Sequence, residues 1–389
     1  MSRGRPAPLA LLMLSMTLAV VGCPASLKPG DPIQGLTKAE RDAFERGRAI
    51  FDSTFKPETG LGPLFNEAAC GECHAAPASG GFGQDDDVEL HATALRPDAV
   101  CDPLVEQGGF VIQRQLTPAL KAALSIDSEP VPPSPATTGH RTTPVVFGRG
   151  LLDAVSDAAI LSYADPDDKN GDGISGRVNR FVDGRIGRFG RKAQVPTLRE
   201  FNDGAFVAEM GITVPSQPTE ESVGGQPIPA GVDPTPEPEL AESPAELATQ
   251  FVRFLAPPSP GKETGQTATG RDQFSRVGCV ACHFPTLTTG DSPVQALRKK
   301  KFAGFTDLLL HDMGPEMADI CLGLAQPSEF RTEPLMGLRF LPRFLHDGRA
   351  TTLEQAIAAH GGEAAASRER YNKLAPDLQA ALIAYLKTL

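Results

Sequence analysis

The apolar positions of this chain form short helical patterns separated by long stretches that have none. At the N-terminus an apolar run from Leu9 to Val21 follows Arg3 and Arg5 and ends in Gly22-Cys23. It is too short to span a bilayer as a helix. A basic start, a short apolar middle and a small-residue end describe an export signal. After a Pro/Gly-rich tether, Pro24 to Gly35, Thr37 is predicted to cap a helix running to about Phe55, with Glu40 as its capping-box partner. Ala43, Phe44, Gly47 and Phe51 mark one side of it.

Gly80 to Val88 reads as a Gly/Asp-rich loop and Asp127 to Gly139 as a Pro-rich extended segment. An apolar run, Val145 to Val155, follows His140-Arg141-Thr142-Thr143-Pro144. From Thr213 to Ala245 the chain is crowded with Pro and Glu and lacks apolar periodicity, which predicts an exposed excursion or interdomain linker. Beyond it, Thr351 or Thr352 caps a helix in which Leu353, Ala356, Ile357 and His360 share a face, and Gly361-Gly362 ends it. The last helix begins at Pro376 and aligns Leu378, Leu382, Tyr385 and Leu389.

A length of 389 residues leaves room for two domains and an ample core. The formal net charge of −11 becomes about −13 once a leader containing two arginines is removed, which argues against nucleic acid as a partner. Seven cysteines sort by position. Cys23 closes the export signal, which is similar to a bacterial lipoprotein signal acylated at that residue; an ordinary signal with an incidental cysteine is the alternative. Four others form two pairs, and Cys101 with Cys321 remain as a candidate disulfide on the oxidising side of a membrane.

The pairs carry the chemistry. Cys70-Gly71-Glu72-Cys73-His74 is matched by Cys279-Val280-Ala281-Cys282-His283. Two thiols three residues apart can each bond one vinyl arm of a haem, and the following histidine can ligate its iron. A zinc site would need four ligands gathered in one place, and neither pair has a second pair close behind it. A redox dithiol needs no histidine in the next position. Each pair also follows a helical segment, the second being Gly270 to Phe274, as in a c-type cytochrome domain. The fold class expected is mainly α: two cytochrome c-like domains with long irregular loops.

Two further candidates stand beside the pairs. Asp168-Lys169-Asn170-Gly171-Asp172-Gly173 offers oxygens at positions 1, 3 and 5 and glycine at 6, as the first half of a calcium loop does, although position 12 is Asn179. The competing structure is a plain Asx-rich turn. A lone histidine on an apolar helix face is usually a core residue, but an iron lacking a sixth ligand in the same domain makes His360 a candidate axial ligand.

Nearly the whole mature chain resembles the bacterial dihaem cytochrome c peroxidase superfamily, and within it the branch called dihaem oxidoreductases. The likeness rests on both pairs and on Arg141-Thr-Thr-Pro144, Lys192-Ala-Gln-Val-Pro-Thr197, Glu209-Met210-Gly211-Ile212-Thr213, Leu310-His-Asp-Met-Gly314, Glu329-Phe-Arg-Thr332, and Leu345-His-Asp-Gly-Arg349 through His360-Gly-Gly-Glu363. The resemblance implies one haem that meets peroxide and another that feeds it electrons, with Glu209 as the acid–base group. It sets His360 where relatives place an axial methionine, with His311 and Met313 as rivals, and His140 near their switchable distal histidine. Arg191 and Met336 stand where the branch usually carries tryptophan. The chain has no Trp at all, leaving Tyr163, Tyr371 and Tyr385 as the remaining oxidisable rings of comparable kind.

The sequence therefore divides into an export signal (1–23), a first haem domain (24–212), a linker or excursion (213–250) and a second haem domain (251–389). It predicts a periplasmic or outer-membrane-anchored protein that touches membrane only through lipid on Cys23. Its partners would be a small oxidant such as hydrogen peroxide and a redox protein of small-cytochrome or cupredoxin type. The run Arg298-Lys299-Lys300-Lys301 suits docking an acidic partner, or is a solvated basic turn. A non-catalytic dihaem electron carrier is the alternative function.

Overall fold

A computed structural model describes residues 26–83 and 88–389, so the predicted export signal with Cys23 and part of the Gly/Asp-rich loop lie outside the described residues. The molecule is mostly helical, with small sheets and irregular loops. The elements used below are helices α1 (Lys38–Phe51), α2 (Leu198–Met210), α3 (Glu242–Phe254), α4 (Gly265–Arg276), α5 (Leu353–Ala358), α6 (Ala365–Asn372) and α7 (Pro376–Leu386). The strands are β1 (Val88–Leu95), β2 (Cys101–Asp102), β3 (Val111–Ile112), β4 (Thr137–Thr142), β5 (Leu310–Asp312) and β6 (Glu329–Arg331). Among the described residues no helix is long and apolar enough to cross a membrane.

Helix α1 forms as its sequence predicts. The Thr37 hydroxyl accepts from the Glu40 amide while the Glu40 carboxylate accepts from the Thr37 amide, and Phe44, Gly47 and Phe51 are buried. It ends at Phe51, earlier than expected, where the Asp52 amide closes the last turn on Arg48. Against it packs α3: the Phe251 ring lies 5.1 Å from Phe44 and 4.9 Å from Phe51. Rings buried this fully are worth roughly 2–3 kcal/mol each, enough to fix the crossing.

This pairing moves the domain boundary. The first unit takes its closing helix from the end of the Pro/Glu-rich stretch, because the apolar face of α3 packs on α1, in a core that also takes in Leu287, Leu297, Phe302 and Met336 from the C-terminal half. That stretch is not an open tether. Val214, Val223, Val232 and Leu240 are buried, the Leu240 amide donates to the Thr213 carbonyl, and Val223 and Gln226 bond each other across a tight turn. The N-terminal tether is likewise tied down, the Ile33 amide donating to Phe254 and the Ala256 amide to Asp31.

The second unit repeats the plan with α4 crossing α7. Phe274, Leu382 and Leu386 from these helices share a core with Leu338, Leu353 and Tyr371. Helix α5 is capped by Thr352 and Gln355 as expected, and α7 begins at Pro376. The run from Val145 to Val155 joins the core of the first unit through Val145, Phe147, Leu152 and Val155.

The main departure from sequence expectation is a four-stranded antiparallel sheet. Its long strand β1 pairs with β2, β3 and β4, in a region read as loop and extended chain. Glu89 lies opposite Arg141 and His91 opposite Gly139, so Glu89, His91 and Arg141 share one face. The Cys101–Cys321 disulfide joins this sheet to the C-terminal half.

Candidate functional site

In the second unit, Gly278 sits at φ 93° and turns the chain from α4 into the single turn Cys279–Ala281. The His283 amide closes onto the Cys279 carbonyl at 2.9 Å, which places both thiols and the imidazole on one short arc. The His283 Nδ1 donates to the Phe305 carbonyl at 3.0 Å. One residue past the turn that ends α5, the His360 Nδ1 donates to the Ala356 carbonyl at 2.7 Å. A carbonyl can only accept, so each ring carries its proton on Nδ1 and keeps the Nε2 lone pair. Burial pushes His283 down to about 4 and lowers His360 as well, so both are neutral imidazoles at physiological pH.

Cys279, Cys282, His283 and His360 line a single cavity of about 280 Å³, with apolar walls that include Phe274 and Leu382. Burial pushes the Cys279 thiol up to about 12 and raises Cys282, so both stand as neutral thiols. Two neutral thiols, two imidazole lone pairs and apolar walls fit a flat macrocycle bonded at one edge and ligated through its metal. Cys279 and Cys282 would hold it, with His283 and His360 as axial ligands.

His311, a rival for that role, is engaged at both ring nitrogens. Its Nε2 donates to Asp307 and its Nδ1 to Glu363, both at 2.8 Å. Burial alone would lower its pKa, but the two carboxylates push it up to about 12, and an imidazolium has no lone pair for a metal. Its place on β5 opposite Phe330 makes it a structural cation. Met313 is half-buried in the cavity wall and offers a thioether there, while His360 offers the stronger donor.

In the first unit, the turn Cys70–Cys73 follows α1 through a loop, and the His74 Nδ1 donates to the Gly81 carbonyl at 3.2 Å, repeating the arrangement of His283. Burial, with Asp52 and Glu209 nearby, pushes the Cys70 thiol up to about 12; its sulfur lies 3.7 Å from the sulfur of Met210. Glu209 precedes Met210 at the end of α2, which Gly211 closes at φ 64°. Its carboxylate accepts from the Asn66 amide group at 2.6 Å, and ligating atoms of Glu209, Glu89 and His91 all lie within 4.8 Å of one another. Burial, reinforced by the Glu89 charge, pushes Glu209 up to about 8; burial and Arg141 push His91 down to about 4. A protonated carboxyl thus stands beside a neutral imidazole.

His91 escaped sequence analysis because β1 did. The alternation His91-Ala-Thr-Ala-Leu95 beside a Gly/Asp-rich stretch is the only local sign of the strand that aims it inward. His140, proposed for this neighbourhood, is exposed instead: on β4 it lies opposite Leu90, on the face away from Arg141 and His91. Strand alternation decides this, since one residue's shift reverses the face.

The candidate calcium loop closes on itself. Oxygens of Asp168 and Asn170 accept from the Asp172 amide at 3.0 and 2.9 Å, and Asp172 accepts from Ile174 at 2.9 Å. This is the geometry of an Asx-rich turn. Tyr371 is buried in the second core, Tyr385 packs edge-on to Phe274 at 5.7 Å, and Tyr163 packs edge-on to Phe284 at 4.8 Å.

Residues 134–389 match the family described as "Di-haem oxidoreductase, putative peroxidase". The match spans both the sheet edge at Arg141 and the whole second unit, and the chain belongs to this family, whose members carry two haems. Among solved structures the chain is similar to hydrazine synthase of Kuenenia stuttgartiensis, at 14% identity over 99% of this chain and 100% of that one, with a TM-score of 0.41. It is also similar to a MauG-like protein associated with microbial copper homeostasis (14% identity, 95% and 94% covered, TM-score 0.43). A third is the diheme peroxidase BthA of Burkholderia thailandensis E264 (15% identity, 94% and 89% covered, TM-score 0.42). No curated protein matches this sequence.

Proposed function

We propose that the protein is an exported oxidoreductase of two cytochrome c-like units that reduces peroxide at the first haem site with electrons delivered through the second. The observation that carries this is the convergence of two thiols and two imidazole lone pairs on one apolar cavity, with a second Cys-Cys-His arc beside the Glu209–His91 pair. When bound, each haem supplies a one-electron centre, and one with an open axial position also supplies a place for peroxide.

Reduction of hydrogen peroxide to two waters takes up two electrons and two protons. At the first site neutral His91 accepts the proton of the near oxygen, and protonated Glu209 releases one to the departing oxygen. Asn66 holds the Glu209 carboxyl in place, and Glu89 keeps it protonated. At the second site His283 and His360 would hold the iron, and two imidazoles would favour its ferric state relative to a histidine–methionine pair, which suits an electron donor. The leader ending at Cys23 supports a periplasmic or outer-membrane-anchored location, with lipid on Cys23 as the membrane contact. The exposed run Arg298–Lys301 suits an acidic redox protein, such as a small cytochrome or cupredoxin.

His91 also favours a second function. Permanent ligation by its imidazole would make both centres six-coordinate and the chain an electron relay. Spectra of the oxidised and half-reduced protein, followed by peroxide turnover of wild type and Glu209→Gln, separate the two. Catalysis requires a haem that is open or opens on half-reduction, together with a loss of about a hundredfold or more in the variant. Equal, negligible turnover by both proteins would leave the relay.

A further inference from the structure

The cavity that holds Cys279, Cys282, His283 and His360 is not apolar throughout. Its wall also contains Thr143, Arg191, Arg331 and Glu333. Glu333 is the single carboxylate in a knot of three guanidiniums: Arg149 reaches it at 2.7 Å, Arg331 at 2.6 Å and Arg191 at 3.1 Å. Arg149 and Arg331 are buried, at 7% and 6% exposed, and Arg191 is largely covered, its side chain 17% exposed. Three positive charges against one negative leave an excess of two in a place where uncompensated charge costs several kcal/mol. The Thr143 hydroxyl, on a residue 7% exposed, has no hydrogen-bond partner. Buried donors in native proteins are paired, so this wall awaits an acceptor that is anionic and enters from the cavity.

We propose that Thr143, Arg191 and Arg331 form a carboxylate clamp that binds the propionate arms of the haem carried by Cys279 and Cys282. This rests on the haem attachment argued above. The chemistry follows from the shape of the cofactor: one part of its rim carries the vinyl groups that take up the thiols, another carries two carboxylates. A cavity that meets the first with cysteines must meet the second with donors. The two carboxylates bring the two negative charges that the arginine knot lacks, and guanidinium forks match carboxylates in geometry as well as charge. The residue just past β4, the turn ahead of α2 and strand β6 each contribute to the clamp, so haem binding draws residues distant in sequence onto one rim. The same positive charges would favour the ferrous state over the more positive ferric one, which makes the clamp a positioning device that also sets potential.

Protein matured in a host that attaches haem c tests this through Thr143→Val, Arg191→Gln and Arg331→Gln, with Arg185→Gln, an exposed arginine, as control. Haem content is counted by pyridine haemochrome, the propionates are followed by their bending band in resonance Raman, and both potentials are measured by spectroelectrochemistry. The expected result is two haems in each variant, a displaced propionate band in Thr143→Val, and a shift of one haem toward ferric by roughly tenfold in each arginine variant, about what one charge ~10 Å away exerts in a protein medium. Arg191→Lys restores part of the potential. Unmoved band and potentials in fully loaded Thr143→Val and Arg191→Gln overturn the clamp, even if Arg331→Gln fails to fold. Wild-type protein lacking haem at Cys279 and Cys282 refutes the attachment itself, and the clamp with it.

Discussion

The carbonyl oxygen of Leu247 lies 2.0 Å from where a Cβ on Gly47 would be. In the second unit the Ala381 oxygen lies 1.9 Å from the same point on Gly270. In each unit the helix that leads into the cysteine pair thus crosses its closing helix backbone to backbone, at a glycine. The duplication, faint as a sequence repeat, is plain as this shared crossing.

Glycine at the crossing cannot be replaced without parting the helices. Gly47→Ala and Gly270→Ala are each expected to destabilise the protein by about 1–3 kcal/mol or more, as overpacking does. Thermal melts of haem-loaded protein measure this. A melting temperature equal to wild type in both variants would show that the crossings are looser than described.

His360 and His311, both on the second cavity, are expected to respond differently to substitution. His360→Ala should leave one haem five-coordinate, with a high-spin signal by electron paramagnetic resonance, and His360→Met should raise its potential. His311→Gln should leave both spin states unchanged but cost about 3–5 kcal/mol, because it strands Asp307 and Glu363. A high-spin signal in His311→Gln and not in His360→Ala would reverse these assignments.

Glu209 gives the reaction a pH signature. Its carboxyl is raised to about 8, so it is neutral below that pH and ionised above. As the proton donor, with neutral His91 as acceptor, it should give turnover that is level between about 4 and about 8 and falls as pH rises through the upper value. Glu209→Gln should lose this limb along with most activity. A wild-type profile that stays level from neutrality to pH 10 would remove Glu209 from the donor role.

The disulfide between Cys101 and Cys321 closes a loop across most of the chain, with a sequence separation of 220. Breaking it by Cys101→Ser with Cys321→Ser should cost about 2–5 kcal/mol, seen as a lower urea midpoint. An unchanged midpoint would mean the sheet holds its place without the bond.

Sequence alone determined the features that depend on neighbours along the chain. The two Cys-x-x-Cys-His segments, the capping boxes at Thr37 and Thr352, the apolar faces of α1, α5 and α7, and the prominence of His360 follow from short-range spacing and side-chain chemistry, whereas Glu209 stood out only through the family resemblance. Tertiary structure decided whatever needed residues far apart. It gave α3 to the first unit, because only α1 offers the Phe44–Phe51 face that Phe251 fills. Strand pairing turned His91 toward Glu209 and His140 outward, and Asp307 with Glu363 made His311 a cation in place of a ligand. It also brought Arg149, Arg191 and Arg331 around one carboxylate. Spacing along a chain fixes which face a side chain shares, but charge balance, protonation and ligation depend on what stands opposite, and only the fold supplies that partner.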